Sequence, residues 1–86
     1  MEETLQFAEA AIRNGDFDEA IRALTDVLED EPDDPRALSD IGVCFTETGE
    51  NDKAEKALSF CLKLDPQNVE ALEALGCAYL RENRHR

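Results

Sequence analysis

The side chains that most often carry chemistry are few in this sequence, and their spacing does not favour catalysis. His85 is the single histidine and sits in an Arg84-His85-Arg86 terminus. A Ser/His/Asp or Cys/His pair needs an imidazole held in place, and nothing in such a tail holds it. Cys44, Cys61 and Cys77 stand 17 and 16 residues apart, without the paired CxxC spacing of a zinc site. Cys44 and Cys61 fall where small residues pack, so they read as core thiols. Asp16-x-Asp18 suggests a calcium loop, but the required glycine and the closing bidentate glutamate are missing. Asp33-Asp34 lies in a turn, where capping explains it. There is no glycine-rich loop to cradle a phosphate. No catalytic residue, cofactor or metal ligand is assigned, and a non-enzymatic role is expected.

Charge narrows the partners. With 21 acids against 9 bases the formal net charge is −12. Nucleic-acid affinity depends on basic side chains displacing counterions, so no nucleic-acid partner is expected. Anionic lipid surfaces are disfavoured for the same reason, and no membrane partner is expected. Long-range attraction to basic partners is favoured. An odd cysteine count without a secretory apolar segment argues against a disulfide framework and suggests a cytoplasmic, reducing setting. Eighty-six residues make one domain, with 42% apolar content suited to a globular helical chain.

The elements that position these residues recur. Gly15 returns as Gly49 and Pro32 as Pro66, each 34 residues on. At the same offset lie Asp18 and Asp52, Ala20 and Ala54, Ala23 and Ala57, Leu24 and Leu58, and Leu28 and Leu62. Two copies, 1–34 and 35–68, precede a half copy, 69–86, made of a terminal helix and a short basic tail. Residues 2–14 place Leu5, Ala8 and Ile12 at helical spacing. Asn14-Gly15 closes that helix. Asp16 with Glu19 forms a capping-box pattern for a second helix running to about Asp30. Asp34-Pro35 opens a third helix that ends at Gly49. A fourth covers roughly Asn51–Leu64, and Asn68 caps a fifth that runs to about Glu82.

This pattern resembles the tetratricopeptide repeat. The second copy supplies Leu38-x2-Ile41-Gly42-x2-Phe45, then Ala54-x3-Leu58, then Pro66; the half copy supplies Leu72-x2-Leu75-Gly76-x2-Tyr79. The opening helix departs from the pattern, with Thr4, Phe7, Ala8 and Ala11 at these places. The resemblance implies an all-α fold, a right-handed superhelical stack of antiparallel helix pairs, an α-solenoid of about five helices. It also implies a protein-interaction scaffold. Gly42 and Ala54 leave room where helices meet closely, and a leucine at either place is expected to overpack the contact.

In the family, the first helix of each repeat lines a concave groove. Carried over, the peptide-binding residues are Leu5, Glu9, Ile12, Arg13, Arg36, Asp40, Val43, Glu47, Glu70, Glu73, Cys77, Leu80 and Arg81. Glu2, Gln6, Ser39, Thr46 and Ala74 join them. The surface is net negative with an apolar thread, which suits a basic and apolar protein or peptide segment. General solubility is the plainer account of the acids, since charged residues on helices usually form a solvated face. One family subtype grips acidic chaperone tails with lysine, arginine and asparagine; Leu5, Glu9, Asp40, Glu70 and Ala74 stand at those places and exclude that ligand. Cys77, on the groove side, is expected to be the most reactive thiol. Leu72, Leu75 and Tyr79 on the last helix lack a following helix to cover them. A longer repeat array, a homo-oligomer or a docked partner would each account for that end interface.

Overall fold

A computed structural model of the protein describes residues 2–84, with side-chain surroundings to residue 80. The expected basic tail at His85 and Arg86 lies outside the described residues. Five helices follow one another: α1 (Glu2–Asn14), α2 (Phe17–Asp30), α3 (Pro35–Glu47), α4 (Asn51–Leu64) and α5 (Val69–Arg84). The fold is an all-α solenoid, and no strand occurs among the described residues.

The two glycine turns have one construction. Gly15 takes φ +82° and Gly49 φ +84°, the left-handed region that suits a residue without a Cβ. Gly15 N–H donates to Ile12 C=O and Asp16 N–H to Ala11 C=O, at 3.0 and 2.8 Å. Gly49 and Glu50 repeat this on Thr46 and Phe45, at 3.2 and 2.8 Å. These paired bonds satisfy the carbonyls left over at a helix end. They also correct the expected capping box. The Asp16 side chain makes no cap hydrogen bond. Its own N–H, which Glu19 was to accept, is already taken by Ala11, and Glu19 pairs with Arg22 instead at 3.2 Å.

The proline turns behave as expected. Asp34 accepts from the Arg36 and Ala37 amides at 3.0 and 3.3 Å, with Pro35 at the first helical turn. Asn68 Oδ1 accepts from Ala71 N–H at 2.9 Å and caps α5.

The molecule measures 39 × 27 × 19 Å, so its thinnest dimension spans two helix diameters. One layer holds α1, α3 and α5; α2 and α4 form the other, each wedged against α3. Central α3 therefore meets all four other helices. Apolar Ala37, Leu38, Ile41 and Cys44 are buried there, and so are Ser39, Asp40 and Thr46. Two cores result. Leu5, Ala8, Ala11, Leu24, Val27 and Ile41 fill the first; Leu38, Ala54, Leu58, Cys61, Ala71 and Ala74 fill the second. Phe45 and Leu28 touch both and tie them together.

Candidate functional site

The face shared by α1, α3 and α5 carries three cavities. The first, about 460 Å³, is lined by Glu9, Asp34, Pro35, Arg36, Ser39, Asp40, Asp65, Asn68 and Glu70. The second, about 200 Å³, lies among Glu9, Ile12, Arg13, Asp40 and Glu70. The third, about 210 Å³, is walled by Val43, Thr46, Glu47, Glu70, Glu73, Ala74 and Cys77. Glu70 borders all three. Acid-lined space thus continues into space walled partly by apolar side chains.

Arg36 organises the acidic end. Its Nε and Nη2 donate to the two Glu9 carboxylate oxygens at 2.8 and 2.7 Å. Its Nη1 donates to Glu2 at 2.8 Å. Such a planar fork fixes geometry as well as charge. The two carboxylates push Arg36 well above its ordinary pKa, Glu9 having the larger effect. In return the Arg36 hydrogen bonds hold Glu9 below the usual carboxylate range. Arg36 is therefore engaged by two carboxylates of α1.

Asp40 has no such base. It is only 4% exposed, and its Oδ2 is enclosed without a hydrogen-bond partner. Burial first, then the carboxyls of Glu70 and Glu9, push it up to about 9. Asp40 accordingly keeps its proton at neutral pH. Ser39 Oγ lies 3.0 Å from both the Arg36 carbonyl and Glu70 Oε1, so its single proton serves one of them at a time. That contact ties α3 to α5 beside Asp40.

The structure gathers Glu9, Ile12, Arg13, Arg36, Asp40, Val43, Glu47, Glu70, Glu73 and Cys77 around these cavities. Leu5 is a correction: at 5% exposure it packs in the first core, because α2 and α3 close over that side of α1. Leu80 is 65% exposed and lines none of the three cavities. The Arg81 side chain lies outside the described residues. Asp65 and Asn68, absent from the sequence-based set, enter the first of these cavities because the α4–α5 turn folds over its rim. Their turn chemistry masked that role.

At the end of the stack, Leu72 and Tyr79 are 51% and 45% exposed, and Leu75 is half-buried. Cys77 is exposed, whereas Cys44 and Cys61 are buried. Burial pushes the Cys44 thiol up to about 12 and raises Cys61 as well. No described helix is long and apolar enough to cross a membrane.

Comparison with known proteins adds a family and a structural likeness. Residues 5–59 and 47–85 each match the tetratricopeptide repeat family. No curated protein matches the chain. Among solved structures, it is similar to the C-terminal TPR-containing domain of a Plasmodium falciparum FK506-binding protein, at TM-score 0.87 and 25% identity. That likeness covers 96% of this chain and 56% of the other, so the chain spans little more than half of that solved chain.

Proposed function

This chain belongs to the tetratricopeptide repeat family, and from that premise we propose a scaffold that holds a peptide or protein segment in its acidic, partly apolar groove. The fold is generally a protein–protein interaction module, and domains of this kind are typically non-enzymatic. Stacked repeats offer an extended concave surface for that purpose. We take 1–34 and 35–68 as its repeats and 69–86 as a half repeat. The matching turns at Gly15 and Gly49 support that division.

The observation that carries the reading is the meeting of three cavities at Glu70. It sets negative charge beside a space walled partly by Val43, Ala74 and Cys77. A segment with basic and apolar side chains complements both. Free thiols, two of them buried, suit a reducing compartment such as the cytoplasm. Amide shift mapping with basic amphipathic peptides tests the groove. Changes confined to Glu9, Asp40, Val43, Glu70 and Cys77 are expected, and an unperturbed groove overturns it.

A second reading rests on α5. Space beside Gly76 is open, whereas Gly42, 34 residues earlier, lies under Leu58. Leu72, Leu75 and Tyr79 would serve self-association there, and exposed apolar faces often mark interfaces. Sedimentation over rising concentration, with Tyr79→Glu as control, distinguishes a dimer from a monomer.

A further inference from the structure

Asp40 is an expensive residue to keep. Burial takes its carboxyl out of water, and Oδ2 gains no hydrogen bond in exchange. Its Oδ2 is enclosed, and the residue borders two cavities together with Glu9 and Glu70. Glu9 is already satisfied by Arg36. Glu70 is held by Ser39 Oγ on one oxygen, and its carboxyl also faces Asp40. Asp40 and Glu70 are thus the acids with acceptor capacity to spare. No group of three or more ligating side chains among the described residues is arranged to hold a metal ion. The complement is a single organic cation.

We infer that Asp40 and Glu70 form a seat for one basic side chain, a lysine ammonium or an arginine guanidinium, on a segment whose neighbouring inward residue is apolar. This rests on the groove reading above. The apolar neighbour enters the cavity of about 210 Å³ beside Val43, Ala74 and Cys77, which shares Glu70 with the acidic space. Arg13 and Arg36 do not fill the seat: Arg36 is forked onto Glu9 and Glu2, and Arg13 flanks Glu9.

The seat exchanges a proton for a cation. Around Asp40 stand Glu9 and Arg13 on α1, Arg36 and Cys44 on α3, Cys61 on α4 and Glu70 on α5. From α2 the core receives apolar Ala20, Leu24 and Val27. In the free protein Asp40 is neutral at pH 7. An arriving ammonium or guanidinium favours the carboxylate, so the acid proton leaves to solvent and an ion pair forms in its place. Binding therefore strengthens as pH rises toward the Asp40 midpoint.

Acetylated, amidated hexapeptides alternating leucine with lysine, arginine, citrulline or norleucine are the probes. Titration calorimetry at pH 7 in two buffers of different ionisation enthalpy counts protons released, and amide shifts report the place of binding. Lysine or arginine peptides are expected to bind with release of about one proton. Their neutral analogues bind about tenfold more weakly or worse. Preference between the two basic peptides identifies the cation. Asp40→Asn, close in shape to the neutral acid, abolishes the release and weakens binding about tenfold. Glu70→Gln, at an exposed site, weakens it similarly and guards against a folding artefact. If basic peptides shift Val43 and Cys77 without proton release and bind Asp40→Asn equally well, the seat is wrong while the groove stands. If no peptide perturbs the groove, both fall.

Discussion

Leu58 of α4 lies directly over Gly42 of α3, where even a methyl group would meet its side chain. A Cβ on residue 42 would stand 2.5 Å from Leu58 Cγ, well inside van der Waals contact. Leu58 is fully buried. The close α3–α4 approach thus depends on a missing side chain on one helix and a large one on the other. At Gly76, the same repeat position on α5, nothing lies within 4 Å of the corresponding point.

Gly42→Ala is expected to destabilise the fold by about 1–3 kcal/mol, since overpacking outweighs the gain in helix propensity. Urea unfolding monitored by circular dichroism measures it through the midpoint. An unchanged midpoint would contradict the close approach.

Gly76→Ala tests the other half of the contrast. The site is helical and open, so the substitution removes backbone freedom from the unfolded chain without a clash. A stabilisation of up to about 1 kcal/mol is expected in the monomer. A large loss instead would mean that a second molecule packs there, which sedimentation at the same concentration would reveal.

Asp40 gives stability an unusual pH dependence. Its folded pKa is raised from 3.8 to about 9, so between those values the folded chain binds a proton that the unfolded chain has released. The Asp40 contribution is therefore greatest below the unfolded pKa and declines as pH rises toward about 9. Asn at this position cannot ionise, and its amide can donate to the adjacent carboxyls. Asp40→Asn is expected to gain roughly 1–3 kcal/mol at pH 7. Its advantage over the parent grows from pH 5 to pH 8 in urea midpoints. An advantage that shrinks over that range would refute a raised pKa.

Much of this architecture was legible from residue types at the turns. Gly15 and Gly49 end helices because they take the positive φ that closes them, and Asp34-Pro35 opens α3 because both residues suit that first turn. The family resemblance placed Glu9, Asp40 and Glu70 on one candidate surface. Burial was not legible. Asp40 is enclosed by α1 and α5, whose contributing residues lie about thirty positions away on either side. A helical pattern shows which face a residue occupies, but not whether two flanking helices close over it. Leu5 failed for the same reason. The Asp16 cap failed because the preceding turn had already claimed its amide.

The Arg36 fork predicts a local electrostatic response. Glu9 is held low chiefly by hydrogen bonds from Arg36. Arg36→Gln removes that charge and the planar fork, so the Glu9 carboxyl should titrate at higher pH than in the parent. Side-chain carbon shifts followed against pH measure this at one residue. Arg36→Lys restores charge without the fork and is expected to fall between the two. Equal Glu9 midpoints in all three proteins would show that the fork does not persist in solution.

Thiol reactivity joins the cores to the groove in one measurement. Cys77 is exposed beside Val43 and Ala74, whereas Cys44 and Cys61 are fully buried. Burial also disfavours their thiolates, and Cys61 Sγ donates to the Pro35 carbonyl at 3.2 Å. Thiolate is the reactive form, so both buried groups must await local opening. At neutral pH a disulfide reagent is expected to label Cys77 on the order of a hundredfold faster, equivalent to an opening cost of about 3 kcal/mol. A groove-bound peptide that fills the cavity beside Val43 slows Cys77 and leaves the two buried thiols no faster than before. If Cys77 keeps its rate at saturating peptide, the segment does not enter that cavity, and the apolar half of the groove has been assigned to the wrong side chains.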